Sequence, residues 1–275
     1  MANIQTPSIG IVITTFNAAT CIRRAVESIC YQLAAVDELI IVDDGSTDET
    51  VSELKLLCEN QPNIRLIEMP RVGRAGALNI GVAACSADVV AIQDADDYSL
   101  PDRCSAIRNV FASDTSDVVA FSYYAKDEAT DETWLRHPPK CHEQLVKKLA
   151  NGVPICHTAA AFRREVWRVV GGYPTNTPMI VDLPFWIGAA KAGFRFAGSS
   201  VPVAVHHYHP RSNFTANFNR VARARVLLSH NFAAYLAFGR PGREFSVALV
   251  RFVSILLPRK VRDGARVAYT RNKDT

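Results

Sequence analysis

Three carboxylates, Asp94, Asp96 and Asp97, fall within four residues directly after an apolar run at 89–92. The run is β-branched, flanked by turn residues and too short for a helix, so it reads as a buried strand that delivers the acids at its carboxyl end. In an open parallel α/β sheet that edge is where ligands bind. Acids this close repel one another unless something positive neutralises them, and a divalent cation with oxygen ligands is the usual answer. A second reading stands beside it: a solvated acidic turn in which Asp97 and Ser99 cap a helix starting near Leu100-Pro101.

Other strand ends also carry polar groups. Residues 9–15 read as a first buried strand, broken at Phe16-Asn17-Ala18 before a helix over 20–33. The short run 38–42 is a second strand, and strand, helix, strand at this spacing is a βαβ unit of a parallel sheet. It runs into Asp43-Asp44-Gly45-Ser46-Thr47-Asp48-Glu49-Thr50. There Gly45 permits a tight turn, Ser46 or Thr47 can cap the next helix, and Asp48 reads as a cap or loop brace. Asp43 and Asp44 precede the cap and are freer to face a ligand. A third strand, 64–68, leads through Arg71, Gly73, Arg74 and Gly76 into a helix carrying Leu78 and Asn79. This basic loop before a helix start suits an anion. It has neither the Lys-bearing ending of a phosphate loop nor a dinucleotide fingerprint.

Further along, the spacing predicts a helix over 102–111, a strand over 118–123, an irregular excursion or exposed hairpin over 125–139, and a helix over 143–150. Strand character then returns over 154–162, around His157. A helix over 165–170 stops at Gly171-Gly172-Tyr173-Pro174, and Asp182 opens an apolar helix, either as an N-cap or as a functional acid. Residues 201–209 alternate as a strand that ends in His206, His207 and His209, with His207 and His209 on one face as metal candidates.

The 275 residues, with 48% hydrophobic and 21% charged side chains, describe an ordinary globular protein long enough for a sizeable core. The first residues resemble no signal peptide. Seven cysteines without a C-x-x-C pair suit reduced thiols in the cytoplasm rather than a zinc site. The net charge of +4 is unevenly spread. Residues 211–275 hold thirteen Arg/Lys against three Asp/Glu, a balance of +10, which leaves eighteen against twenty-four, or −6, in residues 1–210. Nothing in this pattern marks a nucleic-acid reader.

The ordered motifs resemble the inverting family 2 glycosyltransferases of GT-A fold. The likeness is carried by Ile13-Thr14-Thr15-Phe16-Asn17, by 42–50, by Gly73–Gly81 with Asn79, by Gln93-Asp94-Ala95-Asp96-Asp97, by Arg163-Arg164-Glu165, by Gly171-Gly172-Tyr173 and by Val181-Asp182. It covers residues 8–215 and implies one α/β, Rossmann-like catalytic domain over 1–215 with a mostly parallel central sheet. A basic, amphipathic helical extension follows over 216–275. It further implies that Thr14, Phe16, Asn17 and Asp44 receive the nucleotide, that Arg74, Asn79, Asp94 and Asp96 complete the donor site, and that Asp96, Asp97 and His209 hold Mg2+ or Mn2+. Asp182 matches the general base. The implied reaction moves a sugar from a nucleoside-diphosphate donor, a UDP-sugar by family frequency, to a hydroxyl of a glycan or lipid-linked acceptor in bacterial polysaccharide or glycolipid synthesis. Val181 before Asp182 and Arg71-Val72-Gly73-Arg74 depart from the family pattern. A non-catalytic nucleotide-sugar-binding or scaffold subunit is the alternative. A nucleotidylyltransferase would carry a Gly-rich, Lys-bearing loop near the start, which is missing.

The tail reads as two helices, 217–238 and 243–257. In the stretch 245–257 only Ser246, Arg251 and Ser254 are polar, clustered within roughly 140° of arc. Thirteen residues rise about 20 Å, short of a bilayer span. The broad apolar face fits a core or homodimer helix or an interfacial one, and Arg259, Lys260 and Arg262 favour the inner membrane surface, peripherally bound. The protein should therefore float with anionic vesicles in a salt-sensitive way; equal recovery with neutral vesicles would point to the core or dimer role.

Overall fold

The computed structural model describes residues 6–113, 115–150, 152–176, 180–208 and 220–238. The four apolar runs of the first half become β1 (Ile9–Thr15), β2 (Glu38–Asp43), β3 (Ile64–Glu68) and β4 (Val89–Asp94). They pair in parallel in the order β3-β2-β1-β4. The crossovers are α1 (Ile22–Cys30), α2 (Thr50–Cys58) and α3 (Arg74–Ala84). The first helix is shorter than 20–33 because both its ends are taken by turns: Ala18 O accepts the Cys21 and Ile22 amides, and Asp37 accepts the Ala34 amide at 2.9 Å.

The second half closes the sheet. Its elements are β5 (Tyr98–Ser99), α4 (Arg103–Ser113), β6 (Val118–Asp127), β7 (Thr133–Arg136), α5 (His142–Leu149), β8 (Ala160–Arg163), α6 (Arg164–Val170), α7 (Asp182–Lys191), β9 (Phe196–Tyr208) and α8 (Arg220–Phe238). Among the described residues the sheet has nine strands, with β8 antiparallel between β4 and β6, β9 parallel to β6, β5 antiparallel to β9, and β7 paired on β6. The expected mostly parallel α/β architecture is therefore present. Of the two options for 125–139, the hairpin formed: β6 runs on to Asp127 and β7 returns along it. The strand expected over 154–162 begins only at Ala160, because His157–Ala159 make a single 3-10 turn in which the Ala159 amide reaches Cys156 O.

Strand periodicity sorts the core into two layers. Ile9, Ile11 and Ile13 face α1, α2 and α4, meeting Ile22, Val26, Ile29, Leu54 and Ile107. Val12, Ile40 and Val42 face α3, α5, α6 and α7, where Leu78, Leu145, Val166, Phe185 and Trp186 are buried. Each fully buried isoleucine of β1 contributes roughly 2 kcal/mol by leaving water. Helix α8, the first part of the basic tail, joins this second layer through buried Ala234 and through Phe238, against α5 and α7. The second tail helix expected over 243–257 lies outside the described residues.

Close approach of α3 to the sheet depends on Gly81. A Cβ there would sit 2.5 Å from Val12 Cγ1 and 3.2 Å from Val42 Cγ2. Replacing Gly81 by valine should overpack this seam and cost about 3 kcal/mol, read as a lowered urea midpoint; an unchanged midpoint would show that α3 can lift without penalty.

Candidate active site at the strand ends

Three loops meet where β1, β2 and β4 end. Thr14 is buried and lies in register between Val42 of β2 and Asp94 of β4. Asn17 takes a left-handed backbone (φ 51°), and its side-chain oxygen accepts the Thr47 amide at 2.8 Å while its own amide donates to Ser46 Oγ at 2.9 Å. Asn17 thus ties the β1 and β2 loops together. Phe16 lies beside it, with the Arg71 guanidinium 3.4 Å over its ring, a cation–π contact from the β3 loop.

The acids after β2 are mostly loop braces. Asp43, expected to be free for a ligand, is 2% exposed and accepts the Ser46 amide at 2.9 Å and its hydroxyl at 2.5 Å. Neither Ser46 nor Thr47 caps α2; Asp48 accepts the Thr50 amide at 3.1 Å and the Ala19 amide at 3.3 Å, the brace role read from the sequence. Asp44 is also buried, and its carboxylate collects the Val72 amide at 2.6 Å and the Gly73 amide at 3.1 Å, which shapes the loop before Arg74. A carboxylate has about four acceptor positions, so Asp44 keeps capacity for one further donor.

At the end of β4 the acids separate into different roles. Asp94 pairs with Arg74, the first residue of α3, at 2.5 Å. Burial alone would lower the proton affinity of Arg74, but Asp94, Asp182 and Asp96 together raise it, so it stays a cation. The same guanidinium stands 3.2 Å from His157 Nδ1. Asp96 follows two residues on, and its backbone oxygen accepts from Arg24 at 3.1 Å.

Asp97 does not cap α4. It is fully buried, and its oxygens accept from His206 Nδ1 and from the His207 amide, both at 2.8 Å. Burial would raise its pKa, yet the hydrogen bonds from the two histidines outweigh that and hold it down to about 2. His206 is the converse case: burial would lower it, and Asp97 lifts it to about 9. Ser99 is likewise no cap; its hydroxyl donates to Gln93 Oε1 at 2.6 Å. Beneath this turn the buried Arg103 donates to Gln93 at 2.8 Å, to Ser99 at 3.0 Å and to Ile92 O at 2.8 Å. Ligand-capable atoms of Asp94, Asp97 and His206 lie within 4.8 Å of one another. His206 is the histidine the sequence reading passed over in favour of His207 and His209. Its Nδ1 reaches Asp97 at 2.8 Å, while the His207 Nδ1 stands 3.8 Å from the same carboxylate; His209 lies outside the described residues.

Asp182 is the first residue of α7, and its carboxylate engages the backbone amides of Asp182 and Leu183 at the helix start, so the capping reading and the functional one both stand. Burial pushes its pKa up to about 6, against the opposing pull of Arg74 and of the backbone amides of Asp182 and Leu183. Asn79, one helical turn beyond Arg74, spends its amide on a neighbouring segment: Nδ2 donates to Tyr173 O at 2.8 Å, and Oδ1 accepts from the Tyr173 amide at 2.7 Å and from Trp167 Nε1 at 3.0 Å. Gly172 is required there, since with φ 86° a Cβ would fall 2.5 Å from Asn79 Oδ1. Glu165 is exposed on α6, paired with Arg168.

The Asp97–His206 pair makes stability pH-dependent. His206 rises from 6.5 to about 9, so its contribution is complete below pH 6.5 and is lost as pH climbs through about 9. Asp97 falls from 3.8 to about 2, so its contribution is complete above pH 3.8 and is lost as pH drops through about 2. Melting temperature should therefore decline between pH 6.5 and 9, and His206→Gln should remove most of that decline; parallel curves for the two proteins would refute the pairing.

Comparison with known proteins places this geometry in a family. The profile described as glycosyl transferase family 2 matches residues 10–171, which includes His157 and stops short of Asp182, His206, His207 and His209. An uncharacterised glycosyltransferase of Nostoc sp. is 34% identical over 167 residues, 58% of this chain and 51% of the relative. A chondroitin synthase of Escherichia coli is 27% identical over 194 residues, 69% of this chain and 27% of the relative. The chain thus spans about half or less of the length of these curated relatives. Among solved structures, Staphylococcus aureus TarS 1–349 in complex with UDP-GlcNAc superimposes with a TM-score of 0.66 at 14% identity, covering 92% of this chain and 82% of that one. The mannosyltransferase PcManGT from Pyrobaculum calidifontis, in complex with GDP-Man and Mn2+, gives 0.59 at 21% identity, covering 94% and 82%. These likenesses establish the GT-A type of fold. Because the family profile spans more than half of the sequence and includes the loops that carry Asp44, Arg74, Asp94 and Asp96, the chain belongs to glycosyl transferase family 2.

Proposed function

We propose that this chain transfers a sugar from a nucleoside-diphosphate donor to an acceptor hydroxyl with inversion, and that Asp182 is the general base. The observation that carries the reading is a carboxyl group whose proton affinity burial raises to about 6, interacting through Arg74 and Asp94 with the acids at the end of β4. That value suits proton uptake near neutral pH. In the proposed step the acceptor oxygen bonds to the anomeric carbon as the bond to the diphosphate oxygen breaks, and Asp182 takes the hydroxyl proton. A single direct displacement inverts the centre and needs one base, unlike the two-carboxylate scheme of retaining glycosidases.

Thr14, Phe16, Asn17 and Asp44 form the side assigned to the nucleotide, where Arg71 already stacks on Phe16. Asp94 is assigned to the ribose side and Arg74 to the diphosphate, while Asn79 acts at one remove by holding Tyr173. The oxygen donors at the end of β4 fit a hard divalent cation such as Mg2+ or Mn2+. Asp96 and Asp97 would hold it, with His209 as a further ligand, Asp97 while also accepting from His206 and the His207 amide. When bound, the cation neutralises charge on the departing diphosphate.

The chondroitin synthase relative supports a glycan acceptor, and a lipid-linked one remains within the same chemistry. No helix among the described residues is long and apolar enough to cross a membrane. Peripheral attachment at the inner face of the membrane, through the basic tail, belongs to this proposal, as does a homodimer through the same segment.

Asp182→Asn keeps the side chain's shape but cannot take a proton. Donor affinity should survive while turnover falls by about 10²-fold or more. With wild type, the rate should climb with pH through about 6 and then level, since the base acts only when ionised. Near-normal turnover in Asp182→Asn would remove Asp182 from the chemistry.

A further inference from the structure

We infer that His157 is a positioning residue that locks the Arg74 guanidinium in place between the donor-side acid Asp94 and the segment that carries Asp182. The inference deepens the proposed transfer reaction and rests on it for its kinetic consequence.

His157 sits on the 3-10 turn His157–Ala159, packed against the end of β4, and is 7% exposed. Both ring nitrogens are engaged. Nδ1 is 3.2 Å from Arg74 Nη2, and Nε2 is 3.0 Å from Tyr173 Oη. A guanidinium can only donate, so Nδ1 must be the acceptor and the proton must sit on Nε2, directed at the tyrosine oxygen. Burial and the adjacent Arg74 cation push the imidazole's pKa down to about 3, consistent with that single neutral tautomer. A buried ring already used at both nitrogens is no general base.

The ring therefore connects separate parts of the fold. Arg74 begins α3 and reaches Asp94. Tyr173, in the turn after α6, is fixed through its backbone by Asn79 and stacks on Phe185 of α7 at a centroid distance of 4.3 Å. Trp186 of the same helix meets the His157 ring edge-on at 6.1 Å. Asp182 starts that helix. The groups that interact electrostatically with Asp182 include Arg74, Asp94, Tyr173 and Cys156, of which Arg74 is a cation. Without the His157 acceptor, Arg74 would keep Asp94 but lose the contact that fixes its second side, and the cation's hold on Asp182 would weaken.

The test compares His157→Leu, His157→Asn and His157→Gln with wild type, using carboxyl and ring-nitrogen NMR titrations of the ligand-free protein and nucleoside diphosphate release. Asn places an acceptor near the Nδ1 position; Gln places its amide near Nε2 and leaves Arg74 without its partner. The wild-type ring should remain the Nε2–H tautomer from pH 5 to 8. The Asp182 midpoint should rise by roughly one unit in the Leu and Gln variants and return toward wild type in Asn. Turnover should fall about tenfold in Leu and Gln, with Asn recovering most of it. An Nδ1–H tautomer, or an Asp182 midpoint equal in wild type and a folded Leu variant, would overturn the inference. Should Leu fail to fold, equal behaviour of Asn and Gln would overturn it. A wild-type chain that releases no nucleoside diphosphate would count against the transferase reading, while the ligand-free titrations would still decide the role of His157.

Discussion

The repulsion among carboxylates collected at the end of β4 is the constraint on which the rest of the site depends. Two unit charges about 4 Å apart interact by roughly 4 kcal/mol in the dielectric typical of a protein surface, so a cluster of acids needs cations from elsewhere in the chain. Arg74 from α3 meets Asp94, and His206 from β9 meets Asp97. Arg103 lies buried beneath both, held by Gln93, Ser99 and the Ile92 carbonyl rather than by a salt bridge. Burial brings its pKa down to about 10, which still leaves it charged at neutral pH. Arg74 and Arg103 lie near these acids in sequence, whereas His206 comes from β9, so the pairing of Asp97 forms only when the second half of the sheet closes around β8.

The same economy appears in the loops. Asp43, Asp44, Asp48 and Asn17 satisfy backbone amides of turns that would otherwise be unpaired at the edge of the core. This rigidity places the side chains assigned to the nucleotide before any ligand arrives, the preorganisation from which binding sites gain most. Asn79 and His157 extend it across the sheet edge, because each joins α3 or β4 to the Gly171-Gly172-Tyr173 turn. Donor-side and base-side residues are thereby parts of one hydrogen-bonded unit.

Much of this was legible in the sequence. The runs of β1 to β4 are short, apolar and punctuated by Gly, Asp and Ser, so local pattern and the final fold agree. Less legible were features decided by packing between distant segments. Asp97 and Ser99 have capping chemistry, yet a histidine more than a hundred residues later and a neighbouring glutamine win them. The approach of His206 to Asp97 depends on how β9 meets β5 and β6, with a register shift against β6 that no local pattern announces. His157 sits in a stretch with strand composition that becomes a 3-10 turn, and its partners Arg74 and Tyr173 are found only by folding. Arg103 gave no signal at all, since an arginine in the first turn of a surface helix ordinarily faces water.

The central claim is metal-assisted sugar transfer from a nucleoside diphosphate. Its most direct measurement is nucleoside diphosphate release from a panel of sugar nucleotides, with Mg2+ or Mn2+ and with excess chelator, together with the anomeric configuration of the product by NMR. The account predicts release from one donor class that needs the divalent ion and yields an inverted linkage. Full activity in chelator, or a product that retains the donor's configuration, would contradict it.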